Sequence, residues 1–368
     1  MPIIAIPKEI TAGEERVAVT PMLVSKLSGL GLEVQIENGA GNNIYAADSA
    51  YKGATCVDAK TLYSVGDIVA KVQPPSVAEV AMMKDKSILI SFLYPHLHPD
   101  VVQKLIEKNI TSFAMELIPR ISRAQDMDAL SSQATIAGYK AVLIAANTCK
   151  FFFPMLSTAA GSIKPAKVLI VGVGVAGLQA IATARRLGAM VSAYDVRKEA
   201  KQEAESLGAK FLDIGITAAG TGGYARELTP EEKATQQEAL KKHISAQDII
   251  ITTAGVPGKP APKIITQAMV EAMKPGAVIV DIMAEMGGNC ELTKAGETVV
   301  HNNVVIVGAK NIFSSLANNA SEMYARNILN LLNLMVKEGK INLDWNDEII
   351  KGCAVTHEGK IINESMKK

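Results

Sequence analysis

Lys167-Val168-Leu169-Ile170-Val171-Gly172-Val173-Gly174-Val175-Ala176-Gly177 joins an apolar run to a helical stretch that ends near Gly188. A lone G-x-G-x-x-G is common by chance. Between a buried strand and a helix, with an acid closing the next strand, it reads as a dinucleotide site. That acid is Asp195, which follows Met190-Val191-Ser192-Ala193-Tyr194 and lies 18 residues beyond Gly177. Gly172 allows the tight turn, Gly174 lets backbone approach a pyrophosphate, and Gly177 lets the helix pack close to the strand. The phosphates then meet N–H groups at a helix N-terminus, where partial positive charge favours an anion. Asp195 suits hydrogen bonds from the adenosine ribose hydroxyls and repels a 2′-phosphate, which points to NAD(H) over NADP(H). Arg197 pulls the other way, because an arginine there accommodates that phosphate. A glycine-rich turn with only a packing role is the competing reading.

A chain of 368 residues exceeds one comfortable core, so two domains are expected. Hydrophobic content of 48% with only 4% aromatic suits an α/β protein built on Val, Ile, Leu and Ala. The net charge of +1 leaves no electrostatic footprint for nucleic acid. Cys56, Cys149, Cys290 and Cys353 lie far apart with no C-x-x-C pair, which argues against a zinc site or disulfide framework and fits a reducing compartment. Met1-Pro2-Ile3-Ile4-Ala5-Ile6-Pro7-Lys8 lacks the marks of a signal peptide. No apolar run approaches the ~20 residues that span a bilayer. A soluble chain is expected, with any membrane role supplied by a partner.

Short apolar runs alternate with amphipathic stretches over residues 1 to about 130. Strands are predicted at Ile3–Ile6, Glu33–Glu37, Ile68–Val72, Ile88–Leu93 and Ile110–Met115, with helices between them such as Pro21–Gly29 and Pro99–Lys108. A second series begins at Lys167 and continues through Val191–Tyr194, Ile249–Thr252, Val278–Ile282 and Val304–Gly308. Such alternation predicts βαβ units and largely parallel sheets. Two long helical patterns, Ser131–Phe153 and Ala317–Lys337, bracket the second series like a hinge. The expected architecture is α/β, with two doubly wound Rossmann-like domains, the second inserted into the first. Residues 1–135 with 320–368 form one domain, and residues 136–319 form the nucleotide-binding domain.

Two polar segments stand apart. Pro119–Gln133 follows a predicted strand and precedes the first long helix, which would place it where the domains meet. There Arg120 suits a carboxamide or phosphate, Gln125 gives and takes hydrogen bonds, Asp128 fixes the arginine, and Ser131 caps the helix. A solvated loop ending in a cap is the plainer alternative. Residues 213–232 carry four glycines, three threonines and Tyr224, and read as a lid over bound nucleotide or as a surface insertion. His96 and His98 lack acidic or cysteine partners nearby and make a poor metal pair, so no metal is expected. Asp281 and Glu285 follow a strand of the second series, with a structural or a substrate-facing role open.

Taken together, the chain resembles the NAD(H)-binding components of proton-translocating nicotinamide nucleotide transhydrogenases, relatives of the alanine dehydrogenases. Pro7-Lys8-Glu9-Ile10 with Glu15-Arg16-Val17-Ala18-Val19-Thr20-Pro21 is similar to the opening that the two groups share. The Arg120–Asp128 segment resembles the family's Arg-Gln-Asp loop, and Gly222-Gly223-Tyr224-Ala225 its mobile loop. Pro257-Gly258-Lys259-Pro260-Ala261-Pro262 and Gly287-Gly288-Asn289-Cys290 are further matches. The resemblance implies that Arg120, Gln125, Asp128, Ser131 and Tyr224 serve hydride transfer. It implies cofactor contacts at Arg120, Ile121, Ser122, Gln125, Asp126, Met127 and Asp128, and at Gly172, Gly174, Val175, Ala176 and Gly177. Asp195, Val196, Arg197, Gly223, Tyr224, Gln236 and Gly255 complete the implied set. Gly255 departs from the leucine, and Asp126 from the serine, that family members carry.

The resemblance implies hydride transfer from NADH on this chain to NADP+ on a second soluble component, coupled to proton movement through a membrane component. It also implies a homodimer, in the cytoplasm and peripheral to the inner membrane through its partners. Hydride passing between two nicotinamide rings needs no general acid or base, only position and exclusion of water. Amino-acid dehydrogenation, the competing chemistry, needs a group for the substrate carboxylate. Gln73 stands where that branch carries a lysine, although Arg16 and His96 are present. A non-catalytic NAD-binding regulatory module is the third reading.

Overall fold

The structure, a computed structural model, describes residues 1–218, 220, 225–256 and 260–363. The chain forms two compact units, Met1–Gln133 with Phe313–Lys368, and Ala134–Ile312. The second unit is thus an insertion in the sequence of the first. The chain leaves the first unit within the helix Ala129–Thr148 and returns just ahead of the helix Ala317–Met335.

In the first unit the Ile- and Val-rich runs form β1 (Ile3–Ile6), β2 (Glu33–Glu37), β3 (Thr55–Val57), β4 (Ile68–Ala70), β5 (Ile88–Ser91) and β6 (Thr111–Ala114). β4, β5 and β6 are buried along their whole length, as strands covered on both faces must be. These six pair in parallel in the order β3-β2-β1-β4-β5-β6, so the chain reverses its winding between β1 and β4. The helix Ala317–Met335 packs Tyr324, Ile328, Leu331, Leu332 and Met335 into this core, and Tyr324 Oη donates to the Lys71 carbonyl at 2.8 Å.

The second unit contributes β7 (Leu156–Thr158), β8 (Gly161–Ile163), β9 (Lys167–Val171), β10 (Met190–Tyr194), β11 (Lys210–Phe211), β12 (Ile249–Thr252), β13 (Val278–Asp281), β14 (Thr298–His301) and β15 (Val304–Gly308). Among the described residues, seven of these form one sheet, ordered β11-β10-β9-β12-β13-β15-β14 and parallel except for the last strand. The winding reverses between β9 and β12. Ligands of doubly wound sheets sit at that point, outside the C-terminal strand ends. β7 and β8 form a separate hairpin. After the return to the first unit come the small hairpin β16 (Val336–Lys337) and β17 (Lys340–Ile341), then β18 (Ala354–His357) and β19 (Lys360–Ile361). β18 extends the first sheet antiparallel to β6, and β19 pairs antiparallel with β18.

The elements differ from the sequence expectations mainly at their ends. The first long helix runs Ala129–Thr148 rather than Ser131–Phe153, and Phe153 already pairs with Ala166. Pro154 disfavours helical backbone at the residue before it. The polar stretch expected as loop to residue 232 becomes helical at Pro230, where Thr229 and Glu232 form a reciprocal cap. Arg226 pairs with Glu232, and the Arg226 N–H donates to the Ala218 carbonyl.

Gly138, within the first long helix, has a close neighbour that the sequence does not announce. A Cβ there would overlap the Ala176 carbonyl in the first turn of the helix Val175–Arg186, with Ala176 Cα at 3.0 Å. Helix propensity alone would make Gly138→Ala stabilising by ~0.5–1 kcal/mol, whereas overpacking costs ~1–3 kcal/mol. The contact decides the sign. Gly138→Ala is expected to lower the urea midpoint, and a raised midpoint would show that the two helices are free to separate.

Candidate functional site

Gly172, at φ +95°, adopts the left-handed backbone that ends β9, and a Cβ there would meet Ala254 N and Thr253 Oγ1 at 2.8 Å. Gly177 lies over Gly172 so closely that any side chain would overlap the Gly172 carbonyl. Thr253 Oγ1 donates to that carbonyl at 2.8 Å, tying the loop after β12 to the turn after β9. Gly174 is the contrasting case. It caps the helix Val175–Arg186, is exposed, and a Cβ there would meet nothing within 4 Å. Two glycines therefore make backbone-to-backbone contacts, and the third leaves space before a helix N-terminus. That arrangement fits a pyrophosphate, with the first-turn N–H groups of Val175, Ala176 and Gly177 available by position.

Asp195 follows β10 beside this turn. Its Oδ2 accepts from Val173 N at 2.7 Å and Arg197 Nη2 at 3.0 Å. Its Oδ1 accepts from Arg197 N at 2.8 Å and Nε at 3.1 Å. Arg197 Nη2 also reaches the Val173 carbonyl at 3.0 Å. The Arg197 side chain thus stands on both oxygens of the Asp195 carboxylate. Val196 packs against the core of the unit and its carbonyl accepts from Ala218 N. Gln236 is buried, its amide donating to Tyr194 Oη at 2.8 Å. Gly223 and Tyr224, the predicted lid tip, lie outside the described residues, as do Pro257, Gly258 and Lys259 of the proline-rich match.

The loop after β12 is fixed from the far side by two residues, Asn289 of the Gly-Gly-Asn-Cys match and Asp281, whose role the sequence leaves open. Asn289 accepts from Ala254 N at 3.0 Å and donates to the carbonyls of Ala254 and Pro262 at 2.7 and 2.8 Å. The fully buried Asp281 accepts from Asn289 N, Cys290 N and Thr293 Oγ1, and from Met283 N. Gly287 and Gly288, at φ +94° and +79°, make the turn that brings Asn289 back. This explains the Gly-Gly-Asn-Cys stretch, and it makes Asp281 structural. Glu285 accepts from Asn311 N at 3.2 Å.

In the first unit the Arg120–Asp128 segment is anchored through its apolar members and its backbone. Met127 and Ala124 are core residues and Ile121 packs against them. The Asp126 carbonyl accepts from Asn327 Nδ2 at 2.8 Å and Asn330 Nδ2 at 3.0 Å. Arg120, Ser122, Gln125 and Asp126 are exposed. The expected cap is reversed: Asp128 precedes the helix and accepts from Ser131 N at 2.9 Å and Ser131 Oγ at 2.6 Å. A carboxylate satisfies the helix-start donor better here because it accepts from both groups at once.

Arg16 is buried at 4% exposure and paired within the core. Its guanidinium forks onto Glu14 at 2.7 and 2.6 Å, donates to Gln133 Oε1 at 2.8 Å and stacks 5.2 Å from the Phe313 ring centroid. Gln73 Nε2 and Ser314 Oγ also donate to Glu14, at 2.7 and 2.8 Å. His96 is exposed. Burial alone would raise the Glu14 carboxyl, but the Arg16 bonds and charge override it and hold it down to about 2.

Sheet order, glycine turn and strand-end aspartate together define a Rossmann-type dinucleotide-binding protein carrying a second doubly wound unit. Residues 5–137 match the model described as alanine dehydrogenase/PNT, N-terminal domain, and residues 141–364 that of the C-terminal domain. The chain belongs to the alanine dehydrogenase/PNT family. It is 48% identical to the first of the pieces that make up the NAD(P) transhydrogenase alpha subunit of Rhodospirillum rubrum, across 99% of this chain and 98% of that one. Among solved structures, a transhydrogenase from Sinorhizobium meliloti is 40% identical with a TM-score of 0.87, covering 99% of both chains. An L-alanine dehydrogenase is 25% identical with a TM-score of 0.83, covering 99% of this chain and 98% of that one.

Asp195→Ala is expected to weaken NADH binding by ~10-fold, the scale of one charged hydrogen bond, and to narrow the preference over NADPH in fluorescence titrations. An unchanged NADH-to-NADPH ratio would remove its selective role. The Glu14 contribution to stability is present above about pH 4.5 and lost as pH falls through about 2, because its folded-state acidity is strengthened. Glu14→Gln is therefore expected to flatten the dependence of melting temperature on pH in that window, and an unaltered slope would contradict the pairing.

Proposed function

We propose that this chain is the NAD(H)-holding component of a proton-translocating transhydrogenase, aiming its nucleotide at NADP+ carried by a separate soluble component. When bound, NADH supplies the hydride. The chain's own residues then have three tasks: to hold the dinucleotide, to fix the angle of the nicotinamide ring, and to exclude water. Gly172, Gly174, Gly177 and the first helical turn hold the pyrophosphate, and Asp195 with Arg197 the adenosine ribose. Arg120 and Gln125, exposed on a segment pinned by Asn327 and Asn330, hold the carboxamide and the second ribose, with Asp128 and Ser131 stiffening that segment.

One observation favours this reading over amino-acid dehydrogenation. The buried guanidinium suited to a substrate carboxylate is already forked onto Glu14, bonded to Gln133 and stacked near the Phe313 ring, and Gln73 serves Glu14 rather than a ligand. Breaking such a buried pair to admit a substrate would cost several kcal/mol, of order 3–5.

No helix among the described residues is long and apolar enough to cross a membrane. We place the chain on the cytoplasmic face of the inner membrane, held by the NADP(H)-binding component and a membrane subunit that conducts protons. A second copy is the proposed occupant of the apolar surface around Phe151, Phe152 and Met155, exposed at 43%, 54% and 66%, and of the exposed hairpin β7–β8 that continues it.

The test mixes the chain with an NADP(H)-binding component and follows reduction of an NAD analogue by NADPH. Rapid exchange is expected; alanine-dependent NADH formation by the chain alone would overturn the proposal. Arg120→Ala is expected to slow single-turnover hydride transfer by ~10²-fold, the loss that ~1 Å of ring misplacement causes, with a smaller effect on NAD binding. An unchanged single-turnover rate would remove Arg120 from the positioning set.

A further inference from the structure

Gly255 follows β12 at the point where the winding reverses, and its backbone does not require glycine. Its φ lies outside the left-handed region, so a side chain would be tolerated conformationally. What lies in the way is the end of the flexible Met283 side chain, which would have to turn aside. A Cβ on Gly255 would overlap Met283 Cε, with Sδ at 3.2 Å and Cγ at 3.8 Å. The thioether reaches across from the end of β13 and occupies the space in which a residue at 255 would project.

Both sides of this contact are held. Asn289 clamps the N–H and the carbonyl of Ala254, one residue before Gly255. Asp281 accepts from Met283 N, and the Met283 carbonyl accepts from Met286 N and Gly288 N. The backbone on either side of the contact is therefore held in place, and only the Met283 side chain is left to adjust. In a doubly wound sheet the half before the switch point takes one mononucleotide and the half after it the other. Asp195 follows β10 and serves the adenosine half, which leaves the ends of β12 and β13 to the nicotinamide half.

We infer that Met283 is a positioning residue for the nicotinamide half of the dinucleotide, supplying from the neighbouring strand the apolar wall that Gly255 lacks. The inference rests on the NAD(H) reading above. Methionine suits the task, being unbranched and able to fill an irregular gap left by a missing side chain.

The test is a cycle of Met283→Ala, Gly255→Leu and the double variant, with NADH and 5′-ADP titrated by calorimetry and folding checked by thermal melting. Met283→Ala is expected to weaken NADH binding by roughly 5- to 10-fold, the scale of two buried apolar carbons, while 5′-ADP binding is unchanged. Met283→Leu should retain NADH affinity. Gly255→Leu alone should lose it, because two side chains compete for one space. The double variant should recover to within about twofold of wild type, a coupling that an unspecific loss of packing would not give. Wild-type NADH affinity in Met283→Ala, equal loss of NADH and 5′-ADP, or strictly additive effects would each overturn the inference while leaving the NAD(H) reading intact. Wild-type protein that binds neither ligand would remove both.

Discussion

Three stretches of backbone meet at van der Waals distance where the winding of the second sheet reverses, and the nucleotide site depends on that convergence. Gly177 lies on the Gly172 carbonyl, Gly172 lies against Ala254, and Gly138 lies on the Ala176 carbonyl. Each contact exists because a side chain is missing. A methyl group at any of the three would push a helix or a loop outward by a fraction of an ångström to an ångström. The helix N-terminus would then no longer face the space beside Gly174. Phosphate binding at a helix N-terminus needs its N–H groups and their partial positive charge held in place, and this packing is what holds them.

The same division of labour recurs in the polar residues. Asp281 and Asn289 are buried, and their hydrogen bonds set the path of the loop after β12. Asp128 and Ser131 satisfy each other at the start of the long helix, and Asn327 and Asn330 hold the segment before it. In the first unit Glu14 neutralises Arg16 within the core. A buried charge pair of this sort is costly to open, so the chain's own carboxylate closes that guanidinium to a small acidic substrate. What stays exposed, Arg120 and Gln125, is suited to holding a ring rather than transforming a substrate.

Much of this was legible in the sequence, for a local reason. Strands buried on both faces announce themselves as apolar runs, and β1, β2, β9, β12 and β15 fall where Ile and Val cluster. The fingerprint was legible because its glycines lie within one strand, turn and helix and its acid closes the very next strand. The hairpin β7–β8 was not, since most of its residues are exposed and show no alternation. Short strands such as β3 and β11 carry too few residues for a pattern. The cap at the long helix was misread because Asp128 and Ser131 are both cap formers, and only the geometry shows which one accepts. Clamps across 35 residues, as from Asn289 to Ala254, leave no mark in a single sequence. The close approach of Met283 to Gly255 leaves only an unexplained glycine.

The proposed function requires hydride to pass directly from a nucleotide on this chain to one on another, with no exchangeable intermediate stop. Deuterium at the transferring position of NADH, followed by mass spectrometry into NADPH in ordinary water with the NADP(H)-binding component present, tests that most directly. Complete retention of the label in the product is the expected result. Loss of label to solvent, or transfer that requires an added amino or oxo acid, would contradict it.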